Sequence, residues 1–405
     1  METECRKGIE MPDTFDAIVI GGGVIGASTA FHLKSLGCPR VLLVERGDIC
    51  AGGTAKSCAI IRTHYTVQSN SVLALKSLEV FQNFSEVLSD PDADSGFVNS
   101  GYIILAADDD IAEHLLESVS TQSSAGVDTY EISPTEALEL HPRLNVEDAK
   151  VLAYEPNSGY ADPYLTTTGF ISAGRKLGVE VRPNCTVTGL MMEGQRITGI
   201  ETTQGPVHAK TVISAVGPWT GNIATWAGLS IPLEVSRHIV LTFRDANPYE
   251  ATLPIVKDMT TANKMYFRPS SGGVALVGTG DHGEPVYNAD ELDENVSDDF
   301  VLHQGGQMAH RMPSFTNAEL VASWTGPYDI TPDWNPVLGR VPEVDGLILA
   351  YGFSGHGFKL APMIGKILAQ TTLNEACDVD PHPYRLNRFA EGELLTGAYG
   401  VGSIS

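Results

Sequence analysis

The stretch FDAIVIGGGVIGASTAFHLKSLGCPRVLLVERG, residues 15–47, decides the fold. Its four apolar residues at 17–20 suit a strand buried on both faces, and residues 27–36 carry apolar side chains at helical spacing. A second apolar run at 41–44 closes on Glu45. Between strand and helix, Gly21, Gly23 and Gly26 form G-x-G-x-x-G. A glycine triplet alone says little. Set between a strand and a helix, with an acidic residue ending the next strand, it is a dinucleotide-binding fingerprint. Gly21 allows the tight turn, Gly23 lets the backbone approach a pyrophosphate, and Gly26 lets the helix pack close to the strand. The helix start at Val24 and Ile25 turns free amides toward the phosphates, and Glu45 is the expected acceptor for the adenosine ribose hydroxyls.

The chain has 405 residues, enough for two domains or one large intertwined unit. It carries 26 Lys and Arg against 50 Asp and Glu, a formal charge of −24. Such a surface repels nucleic acid and anionic membranes. The site of an anionic ligand is then a local positive exception, which makes the cations set among apolar residues the ones to follow. No run approaches eighteen apolar residues, and the first fifteen lack the apolar segment of a signal peptide. The expectation is a soluble cytoplasmic protein without a membrane span, with a short lead-in in which Met11 is an alternative start. Cys5, Cys38, Cys50, Cys58, Cys185 and Cys377 show neither CxxC pairing nor metal spacing, so reduced thiols and no metal site are expected.

Two further stretches carry chemistry. RGDICAGGTAKSCAIIRTHY, residues 46–65, is a loop of small residues suited to pass along a flavin. It ends near Arg62 and leads into an amphipathic segment, NSVLALKSLEVFQNF, at 70–84. LAYGFSGHGFKLAP, residues 349–362, is a strand running into a turn with Gly352, Gly355, His356 and Gly357, then Phe358 and Lys359 at a helix start. Glycines at that density give up backbone entropy, and clearance for a cofactor is the expected return. The helix start would aim its positive end at the same place.

Together these segments resemble the D-amino-acid-oxidase-type FAD oxidoreductases, in the branch of monomeric sarcosine oxidase, glycine oxidase and the sarcosine and dimethylglycine dehydrogenases. Three more stretches fall in that family's order: 159–190, 211–243, and 324–362 with its TPD. The resemblance implies an α/β fold. A Rossmann-like FAD domain of the glutathione-reductase type (1–94, 155–227, 333–405) would interleave with a substrate domain (95–154, 228–332) built on a mixed, largely antiparallel sheet. NKMYFRPSSGGVALVGTG, at 263–280, reads as two antiparallel strands joined at Ser-Ser-Gly-Gly, in keeping with that plan.

The resemblance also implies roles. Arg46, Ser57 and Ile61 would follow the flavin along the loop, and the backbone at Val187 would face the adenine. Gly217 and Trp219 would form the Gly-Pro-Trp turn at the cofactor, and Gly326 would lie beside it. Arg62 and Lys359 would hold a substrate carboxylate, a task for which a guanidinium fork is suited. Tyr328 would border the substrate, and Tyr266 would lie on a strand facing the flavin. The implied reaction removes a hydride from an amine-bearing carbon of an amino acid or secondary amine, giving an imine; the cofactor carries the redox step. Two cations against one carboxylate leave positive charge that favours the anionic reduced flavin and a neutral substrate amine.

Departures from the family are as informative. Covalent flavin in these enzymes uses a cysteine near TPD or a histidine in the first loop, and Gly326 and Lys56 stand at those places, so FAD is expected to be non-covalent. The family's oxygen-activating lysine and the histidine after it are replaced by the Ala275–Leu276–Val277 stretch and by Gly280. Two electron acceptors therefore stay open, oxygen or a redox partner such as a quinone or a flavoprotein. The wording around TPD is nearer to the dehydrogenases and to beta subunits, consistent with a hetero-oligomer. His64 and His356 keep open a 2-hydroxy-acid dehydrogenase, which needs a base. A non-catalytic FAD-bearing assembly subunit is a further alternative, against which Arg62 and Lys359 argue.

Overall fold

A computed structural model describes residues 13–281 and 283–397; Cys5 and Met11 lie outside them. The fingerprint folds as its pattern indicates. Ala17–Ile20 (β1) is wholly buried, and Val24–Ser35 (α1) follows with Gly23 as its N-cap. The helix begins at Val24, as the amides expected to face the phosphates require, and takes in the apolar spacing noted at 27–36 as far as Ser35. Val41–Val44 (β2) comes next, then Gln68–Gln82 (α2), which takes in the amphipathic segment as far as Gln82.

The remaining elements that frame the site are, in chain order, Tyr102–Ala106 (β3), Tyr130–Ile132 (β4), Val151–Glu155 (β5), Pro163–Leu177 (α3), Glu180–Arg182 (β6) and Val212–Ser214 (β7). Then come Glu234–Arg244 (β8), Ile255–Asp258 (β9), Tyr266–Ser270 (β10), Val274–Gly278 (β11), Glu284–Val286 (β12) and Asp298–Arg311 (α4). Glu319–Ile330 (β13), Val337–Arg340 (β14), Leu347–Tyr351 (β15) and Gly357–Leu373 (α5) complete the set.

A six-stranded sheet has the order β14-β15-β7-β1-β2-β6 and is parallel except at β14. Its four central strands, β15, β7, β1 and β2, are buried throughout, which explains their unbroken apolar runs. Val19, Leu43 and Ile348 enter a core with α1, α3 and α5. Ile18, Leu42 and Leu347 enter a second core under a four-stranded sheet formed by Thr14–Phe15, Val187–Glu193, Arg196–Thr202 and Val207–Ala209. α1 meets α5 at close range: a Cβ on Gly365 would collide with Ser28.

The second large sheet has nine strands in the order β12-β8-β11-β10-β9-β3-β5-β4, with β13 along β8. All of its pairs are antiparallel except β9 with β3. Strand alternation sends Val256, Phe267 and Val277 into a core with Met308 of α4. Their neighbours Lys257, Tyr266 and Gly278 lie side by side in register on the opposite face, followed by Val240 and Trp324. A Cβ on Gly278 would collide with the Tyr266 ring, so this glycine lets the tyrosine lie across the sheet. β9 is pinned from the α4 side by the fully buried Arg311, which donates to Asp258 at 2.7 Å and to Asp148 at 2.7 and 3.0 Å. Among the described residues no helix is long and apolar enough to cross a membrane, and no group of acidic, histidine and cysteine side chains could hold a metal.

Candidate active site

A cavity of about 790 Å³ runs from the glycine turn to the face of the nine-stranded sheet that carries Val240. At one end Gly21 adopts φ +111°, and a Cβ there would stand 2.5 Å from the Ala215 carbonyl oxygen. Gly23 faces the cavity, where Thr54 Oγ1 accepts from the Val24 amide at 3.1 Å. Glu45 lies on the cavity wall, its carboxylate accepting from the amides of Gly22 at 2.6 Å and Gly47 at 2.9 Å. Gly26 lies off the wall: a Cβ there would collide with the Gly21 carbonyl, so its task is helix–strand packing.

The mouth beside Glu45 is made by Arg46, whose guanidinium lies 4.2 Å over the Trp219 ring. Both side chains bind Asp290, Arg46 at 2.9 Å and the indole N–H at 2.8 Å. Val187, Gly217 and Ser57 also line this cavity, as do Val24 and Ile25. Ile61 does not; it is buried in a two-residue ladder with 159–160.

At the inner end Gly326 and Lys56 face each other, a Gly326 Cβ falling 3.0 Å from Lys56 Cβ. Lys56 pairs with Glu294 at 2.8 Å. Cys58 lines the cavity with Sγ 3.3 Å from the Tyr266 hydroxyl, and burial raises its thiol pKa. Tyr328 lines it too, stacked on His238. Burial raises the phenol pKa values of Tyr328 and Tyr266, so both hydroxyls stay protonated donors.

Arg62 and Lys359 are each 7% exposed and do not line the cavity; Tyr266 touches it through Cys58. Arg62 donates to the His64 carbonyl and lies 4.6 Å over the Tyr65 ring. Lys359, in the first turn of α5, donates to the Gly355 carbonyl at 3.4 Å. Burial, followed by the Arg62 charge, holds its ammonium well below the usual lysine range. Among the described residues no carboxylate pairs with either cation. His356 caps α5 with both ring nitrogens unpartnered and its edge on Tyr65, at 5.1 Å. Burial, then Lys359 and Arg62, keep it neutral. His64 Nδ1 stands 3.5 Å from Glu155. Burial alone would raise the Glu155 carboxyl, but His64, Ser158 and the Thr63 amide together hold its pKa below the ordinary value.

The glycines of 349–362 make room first of all for neighbouring side chains. Their spare space faces protein. At Gly352 (φ +74°) a Cβ would collide with Thr331, and at Gly355 (φ +82°) with the Tyr328 ring. At Gly357 it would stand 3.1 Å from Phe353 Cβ. Gly355, Gly357 and Phe358 line the cavity, whereas Gly352 lies off it and donates its amide to Asp329 at 2.7 Å.

Several residues of the site escape a reading by sequence. Asp290 and His238 arrive from segments distant in the chain and carry no local signal. Cys58 reads as an ordinary thiol. Lys257 is 5% exposed, with Nζ donating to the Lys264 carbonyl at 2.9 Å and lying 5.3 Å from the Tyr266 ring centroid. A Cβ on Gly280 would collide with that Nζ, so Gly280 leaves room for the lysine. β11 has no lysine of its own, and the signal for this one is a charge inside the apolar run PIVKDM at 254–259.

The cavity fits FAD: backbone amides and a helix start at a glycine turn, a carboxylate at the end of the second strand, and an apolar inner end of tyrosine, phenylalanine and glycine. Residues 16–371 match the family described as FAD dependent oxidoreductase (DAO). The chain is 26% identical over 392 residues to sarcosine oxidase subunit beta of Arthrobacter sp, covering 95% of this chain and 94% of that protein. It is 26% identical over 401 residues to mitochondrial sarcosine dehydrogenase of Homo sapiens, covering 94% of this chain and 42% of that longer protein. The crystal structure of L-proline dehydrogenase from P.horikoshii superposes with a TM-score of 0.87 at 28% identity, covering 95% of this chain and 100% of that one. By the match along its length, the mixed α/β fold and the cavity, this chain belongs to the FAD-dependent oxidoreductase family and uses FAD as its cofactor.

Proposed function

We propose that the protein oxidises a small amino acid or a secondary or N-methyl amine, such as sarcosine, dimethylglycine or proline, whose carboxylate is held between Arg62 and Lys359. The observation that carries this reading is the pair itself: two buried cations without a carboxylate partner among the described residues. A buried cation left unpaired is expensive, and an anionic ligand removes that penalty. The names of the sarcosine- and proline-oxidising relatives support the same substrate class.

FAD, when bound, accepts the hydride from the amine-bearing carbon, and the imine is hydrolysed by water. The chain's own residues do the rest. Arg62 and Lys359 fix the carboxylate and so orient the carbon that reacts. Their charge disfavours a protonated substrate amine close by, which keeps the nitrogen lone pair available. Tyr328 and Tyr266, protonated and packed on His238 and Cys58, close the wall of the site with hydroxyl donors. Gly326 and Lys56 offer no thiol or imidazole for attachment, which supports a non-covalent cofactor.

The interleaved division into 1–94, 155–227 and 333–405 against 95–154 and 228–332 is part of this proposal; it is supported by the segments that supply the two large sheets. Similarity to a beta subunit supports a hetero-oligomer whose electrons leave to oxygen or to a redox partner.

Anaerobic bleaching of the holoenzyme with N-methyl amino acids, prolines, D-amino acids and 2-hydroxy acids tests the reading. Bleaching by amines is the expected result. Bleaching by 2-hydroxy acids alone would transfer the role of base to the neutral, unpartnered His356. No bleaching by any of them would point to an assembly subunit.

A further inference from the structure

Beyond the Arg62–Lys359 clamp, Lys257 is another buried cation with no carboxylate paired to it among the described residues. Lys257 lies on β9, on the sheet face that also presents Tyr266 and Val240. Its head donates to the Lys264 carbonyl, beside the Tyr266 ring and in the space left by Gly280. Arg62 is its strongest cationic neighbour, and Lys264 is the next. The carboxylates that act on it are engaged elsewhere: Asp258 with Arg311 and Thr260, and Asp281 with Thr279 at 2.7 Å. Burial and these cations lower Lys257 to about 7. When substrate binds, the oxidised flavin ring is neutral, so a single carboxylate held by Arg62 and Lys359 leaves Lys257 without an anionic partner of its own.

We propose that Lys257 is a specificity-determining residue that binds a second acidic group on the substrate, which makes amines bearing two carboxylates the preferred class. The inference rests on the clamp proposed above and deepens it. The first carboxylate goes to Arg62 and Lys359, the second to Lys257, and the amine-bearing carbon is held between them. A second anion also raises the protonated fraction of Lys257, so ligand and lysine charge reinforce each other. The sheet suits this task, since β9 is fixed from behind by Arg311 and its lysine has a defined reach.

The test uses the holoenzyme and two kinds of probe. Acetate and butyrate against succinate and glutarate, none of which carries an amine, are titrated while the visible flavin spectrum is followed. Sarcosine against iminodiacetate, which differ by one carboxylate, are compared by anaerobic bleaching. The dicarboxylates are expected to bind at least roughly thirtyfold more tightly than the monocarboxylates. Lys257→Met should abolish that advantage and Lys257→Arg should keep it. Equal binding of mono- and dicarboxylates by the unaltered protein overturns the inference, whether or not the variants fold. So does an advantage that survives Lys257→Met, or a variant that alters only reoxidation in air. The acid titration reads binding without turnover. If no amine bleaches the flavin while succinate keeps its advantage, the proposed reaction fails and Lys257 does not.

Discussion

Tyr328 lies flat against His238, their ring centroids 3.6 Å apart and their planes 19° from parallel. The imidazole is itself held by Ser236 Oγ at 2.8 Å, and Gly355 leaves the room that the tyrosine ring needs. A side chain on the cavity wall is thus fixed from two sides. Stacking of this kind contributes about 0.5–1.5 kcal/mol beyond the area it buries. His238→Ala is expected to slow anaerobic bleaching by several-fold while flavin content stays close to normal, both read in one stopped-flow series. An unchanged rate would remove Tyr328 from the site.

Gly355→Ala should be worse than His238→Ala. It adds a methyl into the Tyr328 ring at φ +82°, where an L-residue is strained by roughly 1–2 kcal/mol before any collision. A lower melting temperature together with loss of bleaching is expected; a tolerated alanine would show that the ring has another place to go.

Arg62→Ala should raise the half-saturating amine concentration by at least about thirtyfold, corresponding to about 2 kcal/mol or more for one partner of a buried charge contact. Flavin binding should persist, because Arg62 is off the cavity wall. The check is bleaching across a concentration range, and an unaltered curve would end the carboxylate role.

Lys359 and Lys257 give the protein a pH signature without ligand. Both ammonium groups lose protons more easily folded than unfolded, Lys257 at about 7 against an ordinary 10.5. Between those values the unfolded chain binds more protons, so this contribution makes stability rise with pH above about 7. A melting temperature that climbs from pH 7 to 9 is expected, with the slope reduced by a bound carboxylate. A falling curve that a ligand leaves untouched would contradict the buried cations.

Arg388→Ala attacks the turn after β13. Arg388 is fully buried and forks onto Asp333 with two bonds of 2.8 Å, while Thr331 also bonds Asp333, at 3.2 Å. Removing the guanidinium strands a buried carboxylate, at about 3–5 kcal/mol. Thermal unfolding should show a large drop, and Asp333→Asn in the same background should recover part of it.

Sequence alone reads the cofactor half well, because its signals are local: a strand, three glycines and a helix within thirty residues, and an acidic residue at the next strand's end. The resemblance also singles out Arg62 and Lys359, nearly three hundred positions apart, and the structure buries both. What it misses depends on register. That Lys257 opposes Tyr266, and that Gly280 makes room for its head, follows from how β9, β10 and β11 pair. The glycines of 349–362 show the middle case. Their density reads in the sequence as clearance for a cofactor, whereas the atoms a Cβ would meet belong to Thr331, Tyr328 and Phe353, side chains that local pattern does not identify.

The cavity wall has a consequence for biosynthesis. It draws on the glycine turn at 21–23, on Val187 and Trp219, and on Asp290, Tyr328 and Phe358 far downstream of both. A ribosome that has made only the first half has produced the phosphate cradle without the inner end or the Asp290 clasp. Flavin therefore finds its full site only once the chain has been made through Phe358, and a truncation that removes α5 is expected to bind it more weakly.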